Sequence, residues 1–149
     1  YINFGGKTDP DYQITQFPKL CLKLFLTLIL MSNPVFAAEI MPFTSDACSA
    51  FPEGTLTQNE LWLDCCVAHD YAYWKGGTKQ ERLAADQALK VCVAEAGEPE
   101  IALLMLSGVR VGGTPYLPTR FRWGYGWPYP RGYKALSSDE LQQIEELTE

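Results

Sequence analysis

The chain has 149 residues, of which 47% are hydrophobic and 20% charged, and its formal net charge is −6. This size fits a single domain, and the composition is that of a globular protein, not a disordered one. The net charge gives no indication of a nucleic-acid binder, which is typically marked by a strongly basic face, so we expect no nucleic-acid partner.

Residues 19–38 have the order of a secretory signal peptide. Two lysines precede an apolar run over 24–31, and Asn33-Pro34 then leads into small residues that end at Ala38. The apolar run is too short to span a bilayer unaided, which favours a cleaved signal over a permanent anchor. We therefore expect a secreted or periplasmic protein whose single domain covers residues 39–149. Residues 1–18 form an extension to which the sequence assigns no function.

Four cysteines follow the predicted signal peptide, at positions 48, 65, 66 and 92. An even number in an exported chain favours two disulfides. Adjacent Cys65 and Cys66 cannot bridge each other without strain, so Cys48 should pair with one of them and Cys92 with the other. A zinc site built on the same four cysteines is the alternative, although adjacent cysteines fit the usual spacing of zinc ligands poorly.

Two capping boxes predict a pair of antiparallel helices. The box over 57–60 opens a helix expected over 58–74 and stopped by Gly76-Gly77, and the box over 78–81 opens a second helix that ends near Gly97. Counted outward from the turn, His69 on the first helix and Asp86 on the second lie at similar heights, so an imidazole–carboxylate contact is expected. One stripe of the first helix carries Trp62, Cys66, His69 and Tyr73.

The remainder of the chain predicts further short helices around an irregular segment. Pro99 suits a first helical position, and the apolar run over 101–111 is interrupted by Ser107-Gly108 and ended by Gly112-Gly113. Residues 114–134 are rich in proline, glycine and aromatic residues, which indicates irregular chain. A third capping box over 137–140 opens a short acidic helix. The expected fold class is all-α.

The strongest motif is the segment over 65–74, which contains the only histidine of the chain. A lone histidine on an apolar stripe is more often a hydrogen-bonded core residue than a catalyst. A histidine that acts as a general base needs its second ring nitrogen held by an acceptor, and Asp86 can supply one. Asp70 points about 100° away around the helix. Its carboxylate is therefore free to bind a cation, and calcium prefers oxygen ligands of this kind.

The spacing of these residues resembles that of a known family. Cys-Cys-x-x-His-Asp-x-x-Tyr is followed by an aspartate seventeen residues after the histidine and by a cysteine six residues later. This pattern resembles the catalytic helices of secreted phospholipase A2, over roughly residues 46–97, and the chain looks like a bacterial-type relative.

The resemblance implies a phospholipase A2-like fold and calcium-dependent hydrolysis of the sn-2 ester of glycerophospholipids. His69 would be the base that activates water, Asp86 the carboxylate that orients it, and Tyr73 a hydrogen-bond donor to that carboxylate. The implied calcium ligands are Asp70 and the backbone carbonyls of Ala47, Ser49 and Phe51. The implied disulfides are Cys48–Cys66 and Cys65–Cys92. The segment over 46–54 departs from the family because its calcium loop is usually rich in glycine.

A cationic, aromatic segment over 110–134 is a candidate lipid-binding surface. Tryptophan favours the membrane–water boundary and arginine attracts anionic headgroups, so Trp123, Trp127, Arg120 and Arg122 are predicted to meet a phospholipid membrane or micelle. The alternative is that this segment wraps the helix pair and its aromatic side chains cover the core. The alternative function for the whole chain is an exported, non-catalytic module that binds lipid or protein on the same disulfide scaffold.

Overall fold

The computed structural model describes residues 38–149, and this part of the chain is helical without strands. Its four helices are α1 (Leu63–Lys75), α2 (Lys79–Glu95), α3 (Pro99–Gly112) and α4 (Ser138–Glu146). The expected all-α class is therefore confirmed. The unassigned extension and all of the predicted signal peptide except Ala38 lie outside the described residues.

Helices α1 and α2 form the expected antiparallel pair. Gly76 ends α1 with a φ of 69°, a left-handed conformation that glycine adopts without penalty. Thr78 then caps α2, because its hydroxyl accepts from the amide of Glu81 while the Glu81 side chain accepts from the amide of Thr78. The second predicted capping box is thus confirmed.

The predicted start of the first helix is wrong. Helix α1 begins at Leu63, five residues after the expected start, and no side chain caps it. The preceding loop bonds to itself instead: Thr55 Oγ1 accepts from the amide of Gln58, and the Trp62 amide donates to the carbonyl of Glu53. These bonds hold residues 53–62 in a loop, so the helix starts only after Trp62.

Helix α3 packs on α2 and completes the first core. The side chains buried together come from the loop before α1 and from the three helices, and are Cys48, Trp62, Cys65, Cys66, Leu89, Val93, Ala102 and Met105. The interruption expected at Ser107-Gly108 does not break the helix. The helix continues through both residues to Gly112, and Ser107 turns its hydroxyl back onto the carbonyl of Leu103, one turn earlier.

The aromatic segment over 114–134 wraps the α1–α2 turn, so most of the predicted lipid surface is wrong. Trp123 and Trp127 are each 1% exposed, and Arg122 is 7% exposed. The indole of Trp123 donates to the carbonyl of Gly77 and that of Trp127 to the carbonyl of Lys75. Only Arg120 of the four is exposed. The two indoles thus bond the last carbonyl of α1 and a carbonyl of the turn, so the segment covers the helix pair, which is the alternative that the sequence left open.

Helix α4 joins a second, smaller core. Ser137 and Glu140 form the third predicted capping box, and Glu140 also accepts from Arg131 and Lys134. Ile144 packs with Ile40, Trp74 and Trp127.

Two disulfides join these elements with the pairing that the resemblance implies. Cys48–Cys66 ties the loop before α1 to that helix, and Cys65–Cys92 ties α1 to α2. The zinc alternative is wrong because the four sulfur atoms are bonded in two pairs, which leaves none of them as a thiolate ligand. Disulfides are consistent with an extracellular or periplasmic location. None of the helices within residues 38–149 has the length and apolar character needed to cross a bilayer.

Candidate active site

The predicted contact between α1 and α2 is present and buried. The imidazole Nε2 of His69 on α1 lies 3.2 Å from Asp86 Oδ1 on α2. His69 is 9% exposed and Asp86 is fully buried. The carboxylate therefore holds one ring nitrogen, and the imidazole can present the other, Nδ1, as a proton acceptor.

Tyr73, one helical turn after His69, joins the same carboxylate. Its hydroxyl donates to Asp86 Oδ1 at 2.7 Å, and its ring packs against the imidazole with centroids 4.2 Å apart. The burial of this phenol raises its pKa, so the hydroxyl stays protonated and available as a donor. Gly113 fits against it: a Cβ at that position would lie 2.4 Å from the Tyr73 hydroxyl.

Two arginines that the sequence analysis did not identify complete this network. Arg82 is buried and donates from Nε to the Tyr73 hydroxyl, while its Nη2 donates to the carbonyls of Val109 and Arg110. Arg110 itself, in the last turn of α3, has Nε 2.7 Å from Asp86 Oδ2. The sequence gives a weak indication that Arg82 belongs to the site, since Arg82 precedes Asp86 by one turn on the buried face of α2. The sequence gives no such indication for Arg110, because only the packing of α3 brings it to Asp86.

These partners keep the buried carboxylate ionised. Burial by itself would raise the pKa of Asp86, but the hydrogen bonds from His69 and Tyr73 and the nearby positive charges outweigh that effect and lower the pKa. Asp86 is thus a fixed negative charge beside the imidazole at neutral pH.

Asp70 faces away from Asp86, towards the loop before α1. It is half-buried, and its Oδ2 accepts a hydrogen bond of 2.6 Å from the hydroxyl of Ser45. Burial raises the pKa of Asp70, the bond from Ser45 partly offsets this, and the negative charge of Asp46 adds to the rise. An acid that is both half-buried and close to a second acid favours a cation as its partner.

Residues 47–51 of the loop before α1 line the same cavity as Asp70. The internal turns of this loop use the carbonyls of Asp46 and Cys48, which accept from the amides of Ser49 and Phe51. Within residues 38–149, no backbone amide donates to the carbonyls of Ala47, Ser49 or Phe51. Ala47 and Ser49 adopt φ values of 61° and 57°, the left-handed region that glycine favours. The loop therefore takes a glycine-like path without glycine.

The donor set fits calcium better than a transition metal. The candidate donors are the Asp70 carboxylate and the carbonyls of the loop over 47–51 that accept from no described backbone amide, and all of them are hard oxygen ligands. No group of three or more His, Cys, Asp or Glu side chains within residues 38–149 is placed to hold a metal ion, so such a site would depend on the backbone oxygens.

A cavity of about 410 Å³ is lined by the candidate base and by the candidate cation ligands. His69, Tyr73 and Asp70 line one part of it together with the loop over 47–51. The rest of its lining is largely apolar and comes from α3 and its surroundings, including Leu104, Met105, Val109 and Phe121. The candidate base and the candidate cation ligands thus face a shared apolar space.

The fold and site define a disulfide-linked helical protein with a buried His–Asp–Tyr cluster beside an apolar cavity. Comparison of the chain with family models, curated proteins and solved structures found no match.

Proposed function

We propose that this protein is a calcium-dependent phospholipase of the secreted phospholipase A2 type, which hydrolyses the sn-2 ester of glycerophospholipids. The observation that carries the proposal is that His69, held by Asp86, lines one apolar cavity together with Asp70 and the loop over 47–51. The disulfide pairing and the antiparallel helix pair support a phospholipase A2-like fold.

In this proposal His69 is the general base. Its Nδ1 takes a proton from water, the water oxygen attacks the ester carbonyl, and the proton then passes to the alcohol oxygen that leaves. Asp86 orients the ring and stabilises the imidazolium, and Tyr73 fixes Asp86. The products are a fatty acid and a lysophospholipid, and no covalent intermediate with the protein is needed.

Asp70 and the carbonyls of Ala47, Ser49 and Phe51 would hold calcium. Bound there, calcium would act as a Lewis acid on the ester carbonyl and stabilise the negative charge that develops on its oxygen. The glycine-like conformations at Ala47 and Ser49 support this assignment despite the scarcity of glycine in the loop.

The cavity supports a lipid as the substrate. Its apolar lining fits a hydrocarbon chain, and large apolar side chains are exposed on and beside its lining: Leu103, Leu104, Val111 and Phe121, which we call the apolar rim. Residues three and four apart share a helix face, so Leu103 and Val111 flank the cavity-lining Ser107 and Gly108. A membrane or micelle surface is the partner that this rim fits.

The test is release of fatty acid from a phospholipid labelled separately at its two acyl positions, with calcium and with a chelator. We expect release from the sn-2 position only, dependent on calcium, and lowered by about 10²–10⁴-fold in His69→Gln because the general base is lost. Lys79→Gln, which removes an exposed cation from α2, is the matched control and should match wild type. Equal residual activity in His69→Gln would refute the catalytic assignment.

A non-catalytic binding module on the same scaffold is the second candidate. The bond from Ser45 to Asp70 favours it, because that carboxylate already has a partner. Calcium titration followed by tryptophan fluorescence separates the two. Saturable binding that is lost in Asp70→Asn supports the enzyme, whereas no binding in wild type, together with no fatty acid release, supports the module.

A further inference from the structure

We propose that Arg110 is a positioning residue that holds Asp86 in the orientation in which it can align His69. The consequence for catalysis rests on the proposed function, whereas the effect of Arg110 on the imidazole can be tested without it.

The two oxygens of Asp86 have separate partners. Oδ1 meets His69 Nε2 at 3.2 Å and the Tyr73 hydroxyl at 2.7 Å. Oδ2 is buried and accepts no well-directed hydrogen bond from within residues 38–149, but Arg110 Nε lies 2.7 Å away. Arg110 is thus the closest positive charge to that side of the carboxylate, and the next, Arg82 Nε, is 4.0 Å from Oδ2.

The geometry gives Arg110 a defined position of its own. Its Nη2 donates to the carbonyl of Leu83 on α2, so the guanidinium spans from α3 to two points on α2. Arg82 holds the backbone beneath it by donating to the carbonyls of Val109 and Arg110. The last turn of α3 is therefore held to α2 through Arg82, Leu83 and Asp86.

Loss of Arg110 would leave the buried Oδ2 with no close partner among the described residues. A buried carboxylate turns towards the charge that remains, which here is Arg82. Because both oxygens belong to one rigid group, that rotation also moves Oδ1 relative to His69. The imidazole would then lose the contact that fixes its ring.

The first experiment measures kcat and KM on a phospholipid substrate for Arg110→Gln and Arg110→Lys, each at its own pH optimum. We expect kcat to fall by about 10–100-fold in Arg110→Gln with KM nearly unchanged, since misalignment affects the reacting groups and not substrate binding. Arg110→Lys, which keeps the charge, should recover part of the loss. The Arg110 side chain is 38% exposed, so both replacements can reach solvent.

A double-mutant cycle separates positioning from general destabilisation. In an Asp86→Asn background, Arg110→Gln should cause no further loss of kcat, because its effect passes through the carboxylate. An equal loss in both backgrounds would overturn the proposal. Lys79→Gln again serves as the control.

The second experiment uses the fact that the chain has one histidine. In wild type the imidazole Nε2 proton is hydrogen-bonded and buried, so it should exchange slowly with water and give one resolved NMR signal. In Arg110→Gln this signal should broaden or vanish at a fixed pH, while in Lys79→Gln it persists.

The two readouts distinguish the failures. If wild type releases no fatty acid but the imidazole signal depends on Arg110, the proposed function fails and the positioning role stands. If the signal and kcat are both unchanged in Arg110→Gln, the positioning role fails and the proposed function stands.

Discussion

A histidine on an apolar helix stripe becomes a base only when its surroundings fix one nitrogen and leave the other free. Here Asp86 fixes Nε2 of His69, and the cavity lies beside the ring. The cost of burying a carboxylate at 0% exposure is offset by the hydrogen bonds from the imidazole and phenol and by the charge of Arg110. The same residues thus serve both the stability of the core and the proposed chemistry.

Tyr73→Phe should show how much of this network is structural. Removing the hydroxyl takes a donor from Asp86 and an acceptor from Arg82, both of which are buried. We expect the free energy of unfolding to fall by about 1–3 kcal/mol, the cost of leaving buried polar groups without a partner. Urea unfolding measures it. The exposed Tyr116→Phe is the control and should change stability by less than about 0.5 kcal/mol.

At the scale of the elements, the α1–α2 turn determines where the site lies. Gly76 is left-handed, and a Cβ there would lie 2.8 Å from the Cα of Gly124, so the aromatic segment can cross the turn this closely only because Gly76 has no side chain. This close approach lets Trp127 reach the carbonyl of Lys75, at the end of α1, and Trp123 that of Gly77 in the turn.

The two disulfides should have separable effects. Each closes a loop, of 18 residues for Cys48–Cys66 and 27 residues for Cys65–Cys92, so replacing either pair by alanine should cost about 3–4 kcal/mol of stability. Only Cys48–Cys66 anchors the loop that carries the candidate calcium ligands. We therefore expect calcium affinity to fall in Cys48→Ala/Cys66→Ala and to stay near wild type in Cys65→Ala/Cys92→Ala. Calorimetric titration measures the affinity, and equal affinities in the two variants would contradict the proposed ligand loop.

The N-terminus of α4 should contribute a measurable pH dependence. Burial acts to raise the pKa of Glu140, but hydrogen bonds from Arg131, Lys134 and the Ser137 amide lower it to about 2, from an ordinary value of 4.5. A carboxyl group with a lowered pKa stabilises the fold fully above its unfolded value and loses that contribution as the pH falls towards the folded value. Wild type should therefore lose stability between about pH 4.5 and 2.

Glu140→Gln isolates this group from the other carboxylates. The variant should be less stable than wild type at pH 6, and the difference should shrink as the pH falls through that window, as followed by urea unfolding. A difference that does not change with pH would show that the Glu140 charge contributes nothing.

For the whole molecule, charge and apolar surface are unevenly distributed. Residues 101–138 contain five basic and no acidic side chains, whereas residues 39–100 contain four basic and eleven acidic ones. The apolar rim and the exposed Arg120 both belong to the basic part of the chain. Such a combination suits a lipid surface with anionic headgroups.

The rim should matter for aggregated substrate and not for dissolved substrate. In Leu103→Asp/Val111→Asp we expect binding to anionic vesicles to weaken by at least about tenfold, since each apolar side chain contributes on the order of 1 kcal/mol or more when it leaves water. Hydrolysis of a short-chain monomeric phospholipid should be retained. Vesicle sedimentation measures the binding. Leu141→Asp, an exposed replacement on α4 away from the cavity, is the control, and an equal loss there would contradict a specific surface.

The sequence by itself determined the features that depend on local geometry. Capping boxes at Thr78 and Ser137 and the glycine stop at Gly76 are interactions within a few residues, so they could be predicted. The contact between His69 and Asp86 could also be predicted, because residues counted outward from a short turn lie at known heights along the two helices that it joins. The disulfide pairing required the family resemblance in addition, since spacing left Cys65 and Cys66 equivalent.

The tertiary structure alone decided whatever depends on contacts between distant segments. The loop over 52–62 bonds to itself and delays α1 to Leu63, and the aromatic segment folds inward, so that Trp123 and Trp127 are buried and not available to lipid. Arg110 reaches Asp86 across 24 positions of the chain only because α3 packs on α2. Local pattern fixes a helix and its faces, but only packing determines which distant side chain covers a buried charge, because that depends on the energy of the whole core.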